Sequence, residues 1–253
     1  MSTLKIYGVP NSQPVRAVVW ACLMKGLPFD FVMTSQNKTA KSPAFLKDVN
    51  PRGTIPAIDD DGFVLWESHA ILIYLAEKHH WDDLWPQDLQ ARALINQYLH
   101  FHHRNTREVV VQWSRALWPS VFDVQDPNAG WLKRNTFPGM ENNQQVVADA
   151  LAIIDGWLSG NEFLVGANLS LADISAYEEL GQNQARYANC TDYSEFQHIQ
   201  RWLEKMGQLP GHDQAHAIWG LIGDVKQISG GMKFIADANK QAAKIFAQAD
   251  FTK

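Results

Sequence analysis

Ser12 is the first side chain in the sequence whose position suggests chemistry. The residues before it alternate between apolar and polar, which predicts a strand over Thr3–Tyr7. Pro10 and Asn11 break this alternation, and Pro14 suits the first turn of a helix, where the N–H that proline lacks would have no partner anyway. Ser12 is therefore expected at a helix N-terminus. Free N–H groups and a partial positive charge gather there, and they favour an anion such as a thiolate.

Three roles are open to the Ser12 hydroxyl. A nucleophilic serine needs a base beside it, but the neighbours Asn11 and Gln13 are not bases, and the chain has no Gly-x-Ser-x-Gly segment. The hydroxyl could simply cap the helix, or it could donate a hydrogen bond to a bound anion. Tyr7 is a rival donor, although its place in the strand suits packing equally well. The local sequence does not separate capping from anion binding.

Glu67 and Ser68 form a second candidate site, at the junction of a predicted strand and a predicted helix that runs to Lys78. A serine hydroxyl and backbone N–H groups can bind a carboxylate, and a glutamate can bind an ammonium group. An amino-acid group carries both charges, so the pair would suit one. Alternatively, Ser68 caps the helix and Glu67 is an ordinary neighbouring acid. The spacing favours neither reading.

The composition describes a folded protein with no general affinity for nucleic acid. The chain has 253 residues, 46% of them hydrophobic and 19% charged, and a formal net charge of −5. A negative chain is not attracted to phosphate backbones or to anionic membranes. The start of the chain lacks the layout of a signal peptide, and no apolar run is long enough to span a bilayer. We therefore expect a soluble, cytoplasmic protein.

Neither the cysteines nor the histidines form a recognisable site. Cys22 and Cys190 are the only cysteines, and Cys22 falls among apolar residues of a predicted helix, which indicates a buried thiol. His100 and His103 share a helical face, but without a nearby acid or cysteine they make a poor metal site. The acidic run at 59–61 precedes a glycine and is predicted to form a hairpin turn. We expect no bound metal.

The order of predicted elements divides the chain into two halves. Residues 3–78 contain strands and helices in the order β-α-β-α-β-β-α, with the third strand at 55–58, and this resembles thioredoxin. Later, only helical patterns are found, and they cover 89–118, 146–158, a segment from Ser170, 195–206, 214–221 and 230–253. The predicted fold class is an α/β thioredoxin-like N-terminal domain with an all-α C-terminal domain. The predicted boundaries are 1–80 for the first domain, 81–88 for a linker and 89–253 for the second domain.

Taken together, the motifs resemble the glutathione S-transferase family, and most closely its theta class. Each segment alone is a weak match, but their order and spacing make the set specific. The matching segments are Ser-Gln-Pro-Val-Arg-Ala-Val at 12–18, Asn50-Pro51 through Ile55-Pro56-Ala57, Glu67-Ser68-His-Ala-Ile-Leu-Ile-Tyr-Leu75, residues 85–92 and Ser170-Leu-Ala-Asp173. The last segment also has the pattern of a capping box, with Asp173 reaching back to the helix start.

The resemblance implies a homodimeric glutathione transferase. Ser12 would hold the thiolate of glutathione by a hydrogen bond and would form no covalent bond. The peptide groups of Ile55, before a cis Pro56, would pair with the cysteinyl backbone. Glu67 and Ser68 would hold the γ-glutamyl end.

Three further residues are implied as glutathione contacts. Arg107, placed in the first long helix, matches an arginine that approaches glutathione in theta-class enzymes. Thr54 stands where the family often has a lysine, and Ala40 and Lys41 stand where a histidine is expected. Lys41 could serve the glycyl carboxylate instead. Glutathione is implied as a co-substrate, without a metal.

The second substrate would be a small hydrophobic electrophile, such as an alkyl halide or an activated alkene, bound against the helical domain. The tail beyond Asp224 could cover its pocket or pack on the surface. An alternative is a non-catalytic dimerisation or scaffolding module of the same fold, as in translation elongation factor 1 gamma. A thiol transferase or glutathione-dependent reductase is a lesser alternative, because that chemistry needs a cysteine at position 12.

Overall fold

The first seven elements follow the predicted thioredoxin-like order. The computed structural model describes residues 4–109, 144–228, 231–249 and 251. The third strand begins at Ala57 and not at Ile55, because Pro56 has no N–H to donate to a ladder. The elements of this part are β1 (Leu4–Gly8), α1 (Gln13–Met24), β2 (Phe29–Met33), α2 (Pro43–Asp48), β3 (Ala57–Asp60), β4 (Phe63–Trp66) and α3 (Ser68–Lys78).

The four strands form one mixed sheet in the order β2-β1-β3-β4. β1 is parallel to β2, whereas β3 is antiparallel to both β1 and β4. Tyr7 of β1, Ala57 of β3 and Trp66 of β4 lie side by side in the register. Therefore β1 and β4 end, and β3 begins, at the same end of the sheet.

The second half of the chain is helical, as the sequence predicts. The described residues after β4 form no further strand, only an isolated bridge between Phe163 and Gly166. None of the helices in the described ranges is long and apolar enough to cross a membrane. The helices of this half are α4 (Leu89–His102), α5 (Gln144–Ser159), α6 (Leu171–Leu180), α7 (Gln197–Met206), α8 (His212–Ile222) and α9 (Gly231–Ala247).

α4 is shorter than the sequence pattern suggests. The helix predicted over 89–118 ends at His102, and a 3-10 turn follows at Thr106–Val109. The side chain of Asn105 donates to Phe101 O at 2.8 Å and satisfies one of the last carbonyl groups of the helix. Residues 110–118 lie outside the described part of the chain.

α1 lies at the centre of the structure, between the sheet and the helical half. Its residues Val15, Val18 and Trp20 are completely buried. α1 contacts β1 and α3 within its own half, and it packs against α6 and α8 of the other half. Cys22 is also completely buried, and burial raises the pKa of its thiol well above the usual range. The predicted buried thiol is confirmed.

The C-terminal helix α9 packs against the edge strand of the sheet. It contacts both α8 and β2. The ring of Phe246 is completely buried and meets the ring of Phe31 edge to face, with 5.0 Å between the centroids. α9 therefore covers part of an edge strand, which otherwise exposes unpaired backbone groups. The amphipathic helix predicted for the tail is confirmed.

Asp173 is a polar anchor of the helical half. It is completely buried in the first turn of α6. Its Oδ2 accepts hydrogen bonds from the backbone N–H and the hydroxyl of Ser170, at 3.0 and 2.8 Å, and the predicted capping box is confirmed. Its Oδ1 accepts from Leu164 N at 2.8 Å and from Trp202 Nε1 at 3.0 Å. The carboxylate thus joins a loop, α6 and α7.

We expect Asp173→Ala to lower the free energy of unfolding by about 3 kcal/mol or more, because buried donors that lose their acceptor cost about 1–3 kcal/mol each. Ser170→Ala is the matched control, since it removes only the capping hydroxyl, at a cost of about 1 kcal/mol. Urea unfolding at equilibrium measures both variants. Equal costs would show that the contacts to Leu164 and Trp202 contribute nothing.

His212, the first residue of α8, is buried where α1, α6 and α8 meet. Its Nε2 lies 2.8 Å from the hydroxyl of Tyr177, and its ring stacks on that of His216 with 4.4 Å between the centroids. Burial, and then the neighbouring His216, lower the pKa of His212 to about 4. The folded protein therefore resists protonation of this ring.

We expect the free energy of unfolding to fall as the pH drops from about 6.5 towards about 4. The unfolded chain protonates His212 near its ordinary pKa of 6.5, whereas the folded protein does so only near a pKa of about 4, so the unfolded state binds more protons between these values. His212→Gln keeps a hydrogen-bonding side chain and removes the titration. Urea unfolding at neutral pH and at about pH 4.5 should show that the free energy of unfolding falls less in the variant than in the unaltered protein. An equal fall in both proteins would contradict this assignment.

Candidate functional site

One end of the sheet collects most of the residues singled out from the sequence. The turn before Ser12 follows β1, Ile55-Pro56 precedes β3, and Glu67-Ser68 follows β4. Because β1, β3 and β4 are neighbours in register at this end, the three segments emerge side by side. Sheet topology alone therefore brings together a hydroxyl, a proline-containing loop and an acid–hydroxyl pair.

Ser12 occupies the N-cap position of α1, as the sequence predicts. Its N–H donates to Val9 O at 3.1 Å, and its carbonyl oxygen accepts from Arg16 N at 3.0 Å. Its hydroxyl makes no capping hydrogen bond. Capping therefore does not explain the serine, and a half-buried hydroxyl is left at a helix N-terminus for another partner.

Tyr7, the rival donor, packs against α2. Its ring meets that of Phe45 edge to face, with 5.8 Å between the centroids and 80° between the planes. Aromatic pairs of this geometry stabilise packing beyond the area they bury. The contact agrees with the alternative reading of Tyr7 as a packing residue.

The loop before β3 is built around a buried asparagine. Asn50 is completely buried, and its Nδ2 donates to the carbonyl and to the hydroxyl oxygen of Thr54, at 3.0 Å each. Its Oδ1 accepts from Arg52 N at 2.9 Å. The Ile55-Pro56 peptide is cis, as the resemblance implies. Among the described residues, the N–H and C=O of Ile55 have no backbone partner, so both are open to an extended ligand.

Lys41 supports the same loop from its other side. Its ammonium group donates to Arg52 O at 3.1 Å and also to Gly53 O. Gly53 has a φ of +60°, and a Cβ there would lie 2.6 Å from Ala40 O and 2.8 Å from Lys41 Nζ. Only glycine therefore allows this close approach. Lys41 stands beside Thr54 and holds the backbone that leads to it.

Glu67, and not Ser68, is the N-cap residue of α3. Its carbonyl oxygen accepts from Ile71 N at 2.9 Å, and Ser68 is the first helical residue. The prediction that Ser68 caps this helix is wrong. Glu67 has a φ of +73°, far from helical values, so the chain enters the helix only after it. The side chain of Glu67 is exposed, and the Ser68 hydroxyl is not needed for capping.

Arg107 reaches the start of α1 from the helical half. It lies in the 3-10 turn Thr106–Val109, so its predicted place in the first long helix is wrong, because α4 has already ended. Its Nη1 donates to Glu179 Oε1 and lies 3.4 Å from Gln13 Oε1. Gln13 follows Ser12 directly, so Arg107 contacts the residue that comes after the predicted thiolate donor.

Glu179 is a residue of this site that the sequence reasoning missed. Its side chain is 1% exposed, and its Oε1 pairs with Arg107 and with His102 Nε2, the latter at 3.3 Å. Burial alone would raise the pKa of Glu179, but Arg107 and His102 hold that pKa below its usual value. The sequence shows only that Glu178 and Glu179 are adjacent acids. Their burial in α6, which the structure reveals, is what requires partners, because acids are rarely buried without them.

Two residues of the acidic run at 59–61 form ion pairs. Asp59 and Asp60 belong to β3, where Asp59 pairs with Lys5 at 3.1 Å and Asp60 pairs with Lys78. Only Asp61 and the following glycine form the hairpin turn. Within the described ranges, no group of three or more His, Cys, Asp or Glu side chains is arranged to hold a metal ion.

Two family models match the chain, one in each half. The model described as glutathione S-transferase, N-terminal domain, matches residues 6–82, and the model described as glutathione S-transferase, C-terminal domain, matches residues 134–210. A relative from Arabidopsis thaliana, glutathione S-transferase T1, is 34% identical over 232 residues, which are 86% of this chain and 89% of the relative. The chain belongs to the glutathione S-transferase family. The human glutathione S-transferase theta-1 is 32% identical over 228 residues, which are 85% of this chain and 88% of the relative.

Solved structures of glutathione transferases share the fold over nearly the whole length. A delta-class enzyme from Nilaparvata lugens has a TM-score of 0.68 at 27% identity, and the match covers 98% of this chain and 100% of that one. A glutathione transferase homologue from Drosophila mojavensis, solved with bound glutathione, has a TM-score of 0.67 at 26% identity, over 96% of this chain and 98% of that one. This glutathione S-transferase is thus theta-like in sequence and has the two-part architecture of the family.

The backbone of this glutathione S-transferase is strained at Glu67. A residue other than glycine that is held in a sparsely populated φ/ψ region destabilises the folded state by about 1–3 kcal/mol. Glycine removes this strain, but it lowers stability by about 0.5–1 kcal/mol because its unfolded chain has more conformational entropy. We expect Glu67→Gly to raise the free energy of unfolding by about 1 kcal/mol. Glu67→Ala keeps the strain and removes the carboxylate, so it is the matched control. If urea unfolding finds the two variants equally stable, strain at this position is excluded.

Proposed function

We propose that this enzyme joins the thiolate of glutathione to small hydrophobic electrophiles, such as alkyl halides or activated alkenes, and that Ser12 donates a hydrogen bond to the thiolate. The Ser12 hydroxyl carries the proposal: it stands at the N-terminus of α1, makes no capping bond, and shares one end of the sheet with Ile55 and Glu67. The homologue solved with bound glutathione supports glutathione as the co-substrate.

The Ser12 hydroxyl would favour the ionised form of the sulfur. A free thiol has a pKa of about 8.5, and each unit of lowering requires about 1.4 kcal/mol of preference for the anion. A charge-assisted hydrogen bond and a helix N-terminus together have about that size. The thiol proton leaves to solvent, a sulfur lone pair forms the new bond to carbon, and the leaving group departs with its electron pair. An activated alkene instead takes up a proton after the addition.

The segments beside Ser12 would bind the peptide part of glutathione. The open N–H and C=O of Ile55, next to the cis Pro56, would pair with the cysteinyl unit as one strand pairs with another. Glu67 would attract the ammonium group of the γ-glutamyl end, and the hydroxyl of Ser68 with the N-terminus of α3 would bind its carboxylate.

Three residues further from the sulfur complete the proposed glutathione site. Lys41 would bind the glycyl carboxylate while it supports the loop that carries Thr54. Thr54 would contact the peptide from that loop. Arg107, whose side chain is 34% exposed, would approach glutathione from the helical half while Glu179 anchors it.

The remaining expectations complete the proposal. The enzyme would act as a homodimer in the cytoplasm, without a metal and without nucleic acid or membrane partners. The net charge of −5 supports the last two exclusions. The glutathione-binding domain would span 1–80 and the helical domain 89–253, with a linker at 81–88.

Ser12→Ala tests the central role. The variant should lose the thiolate absorbance of bound glutathione near neutral pH, and its kcat/KM for an alkyl iodide should fall about 100-fold, since one preorganised donor is removed. Calorimetry should still detect glutathione binding, because the peptide contacts remain.

Tyr7→Phe is the control for Ser12→Ala, because it removes the rival hydroxyl and keeps the ring that packs on Phe45. It should leave the thiolate signal and the turnover unchanged. Unchanged turnover in Ser12→Ala would remove Ser12 from the mechanism, and a loss in Tyr7→Phe would transfer the role to Tyr7.

A further inference from the structure

In the turn that carries Ser12, one peptide group forms hydrogen bonds through both its C=O and its N–H. Val9 to Ser12 form a β-turn, closed by the bond from Ser12 N to Val9 O at 3.1 Å, with Pro10 and Asn11 in its centre. The peptide group between Pro10 and Asn11 is therefore the middle peptide of the turn.

Two distant elements bind this middle peptide. Its carbonyl oxygen, on Pro10, accepts from Arg16 Nη1 at 3.1 Å. Its N–H, on Asn11, donates to Asn239 Oδ1 at 2.8 Å. One partner belongs to α1 and the other to α9, at the end of the chain.

The middle peptide is the part of a β-turn that can rotate most easily. Type I and type II turns differ by a rotation of this peptide through about 180°. Proline at the second position is compatible with both types, and asparagine at the third position tolerates the positive φ of type II. Asn11 does not have a positive φ, so the turn is not of type II. Rotation of the peptide would break the bonds to Arg16 and Asn239 together.

Asn239 lies beside the turn and belongs to a helix that packs into the core. It is 6% exposed. Its Nδ2 donates to Ile235 O at 2.9 Å, one turn earlier in α9, and this leaves Oδ1 to accept from Asn11 N. Phe246 and Ala242 of the same helix are completely buried and keep α9 in place. The acceptor therefore stands on a packed helix and is oriented towards the turn.

We propose that Asn239 is a positioning residue for glutathione transfer: it locks the Pro10–Asn11 peptide and thereby keeps the Ser12 hydroxyl directed at the sulfur. This inference rests on the proposed role of Ser12. The C-terminal helix takes part in catalysis through the backbone of the turn and needs no contact with either substrate. Arg16 holds the other end of the peptide but also pairs with Glu178 in the core, so Asn239 is the partner that can be changed selectively.

Asn239→Leu tests the proposal, because leucine has a similar size, favours helix and offers no acceptor. Hydrogen exchange of the Asn11 amide should become faster. The pKa of the bound glutathione thiol should rise by about one unit, which lowers kcat/KM for an alkyl iodide about tenfold below that pKa. Thiolate absorbance and the pH profile of kcat/KM measure the shift. Asn239→Ala replaces this variant if leucine impairs folding.

Phe246→Leu is the matched control, since it weakens the packing of α9 and keeps the bond to Asn11. It should lower thermal stability and leave the pKa of the bound thiol unchanged. The proposal is overturned if Asn239→Leu leaves that pKa unchanged. It is also overturned if Phe246→Leu shifts the pKa as far while exchange of the Asn11 amide stays unchanged, because general docking of the tail, and not the bond from Asn11 to Asn239, would then be responsible.

Ser12→Ala separates a failure of this inference from a failure of the proposed function. If Ser12→Ala abolishes the thiolate signal and Asn239→Leu does not shift it, Ser12 keeps its role and only the role of Asn239 is lost. If Ser12→Ala has no effect, the proposed function of Ser12 fails. In that case, faster exchange of the Asn11 amide in Asn239→Leu still decides whether Asn239 holds the turn.

Discussion

The Arg16 guanidinium is completely buried between α1 and α6, where its Nε donates to Glu178 Oε2 at 2.7 Å. Burial lowers the pKa of Arg16, and the carboxylate of Glu178 opposes that shift. A charge buried at this depth costs several kcal/mol unless it is paired with good geometry. The same group also donates to Pro10 O, Glu178 O and Gln182 Oε1. Any other placement of α1 against α6 would leave a buried charge without its partners.

Because of this constraint, both halves of the chain build the proposed thiolate site. Because Arg16 holds α6 and also the turn before Ser12, the helical half determines where that turn lies. The contact of Arg107 with Glu179 and Gln13 is a second link between the halves, and the bond from Asn11 to Asn239 is a third. In the proposed function, the Ser12 hydroxyl and the N-terminus of α1 would attract the anion, and these three links would fix the position of the turn that carries the hydroxyl.

Local sequence patterns predict most of the fold. Alternation in β1, helical spacing in α1 and the turn after β3 predict the order β-α-β-α-β-β-α, because each pattern spans only neighbouring residues. The same local information predicts the capping box at Ser170 and Asp173 and the burial of Cys22, and the structure confirms both. The Ser12 region could also be placed at a helix N-terminus, since proline and the broken alternation act locally.

By itself, the sequence determined which elements form, in which order, and that a hydroxyl and an acid–hydroxyl pair follow two of the strands. Only the tertiary structure decided how these groups are held. Glu67 occupies the N-cap position of α3 with a positive φ, and no residue pattern in the sequence reports that φ. Arg16 meets Glu178 across 162 positions and Asn11 meets Asn239 across 228. An apolar pattern specifies which face of a helix is buried but not which helix it meets, so such contacts become visible only once the core is packed.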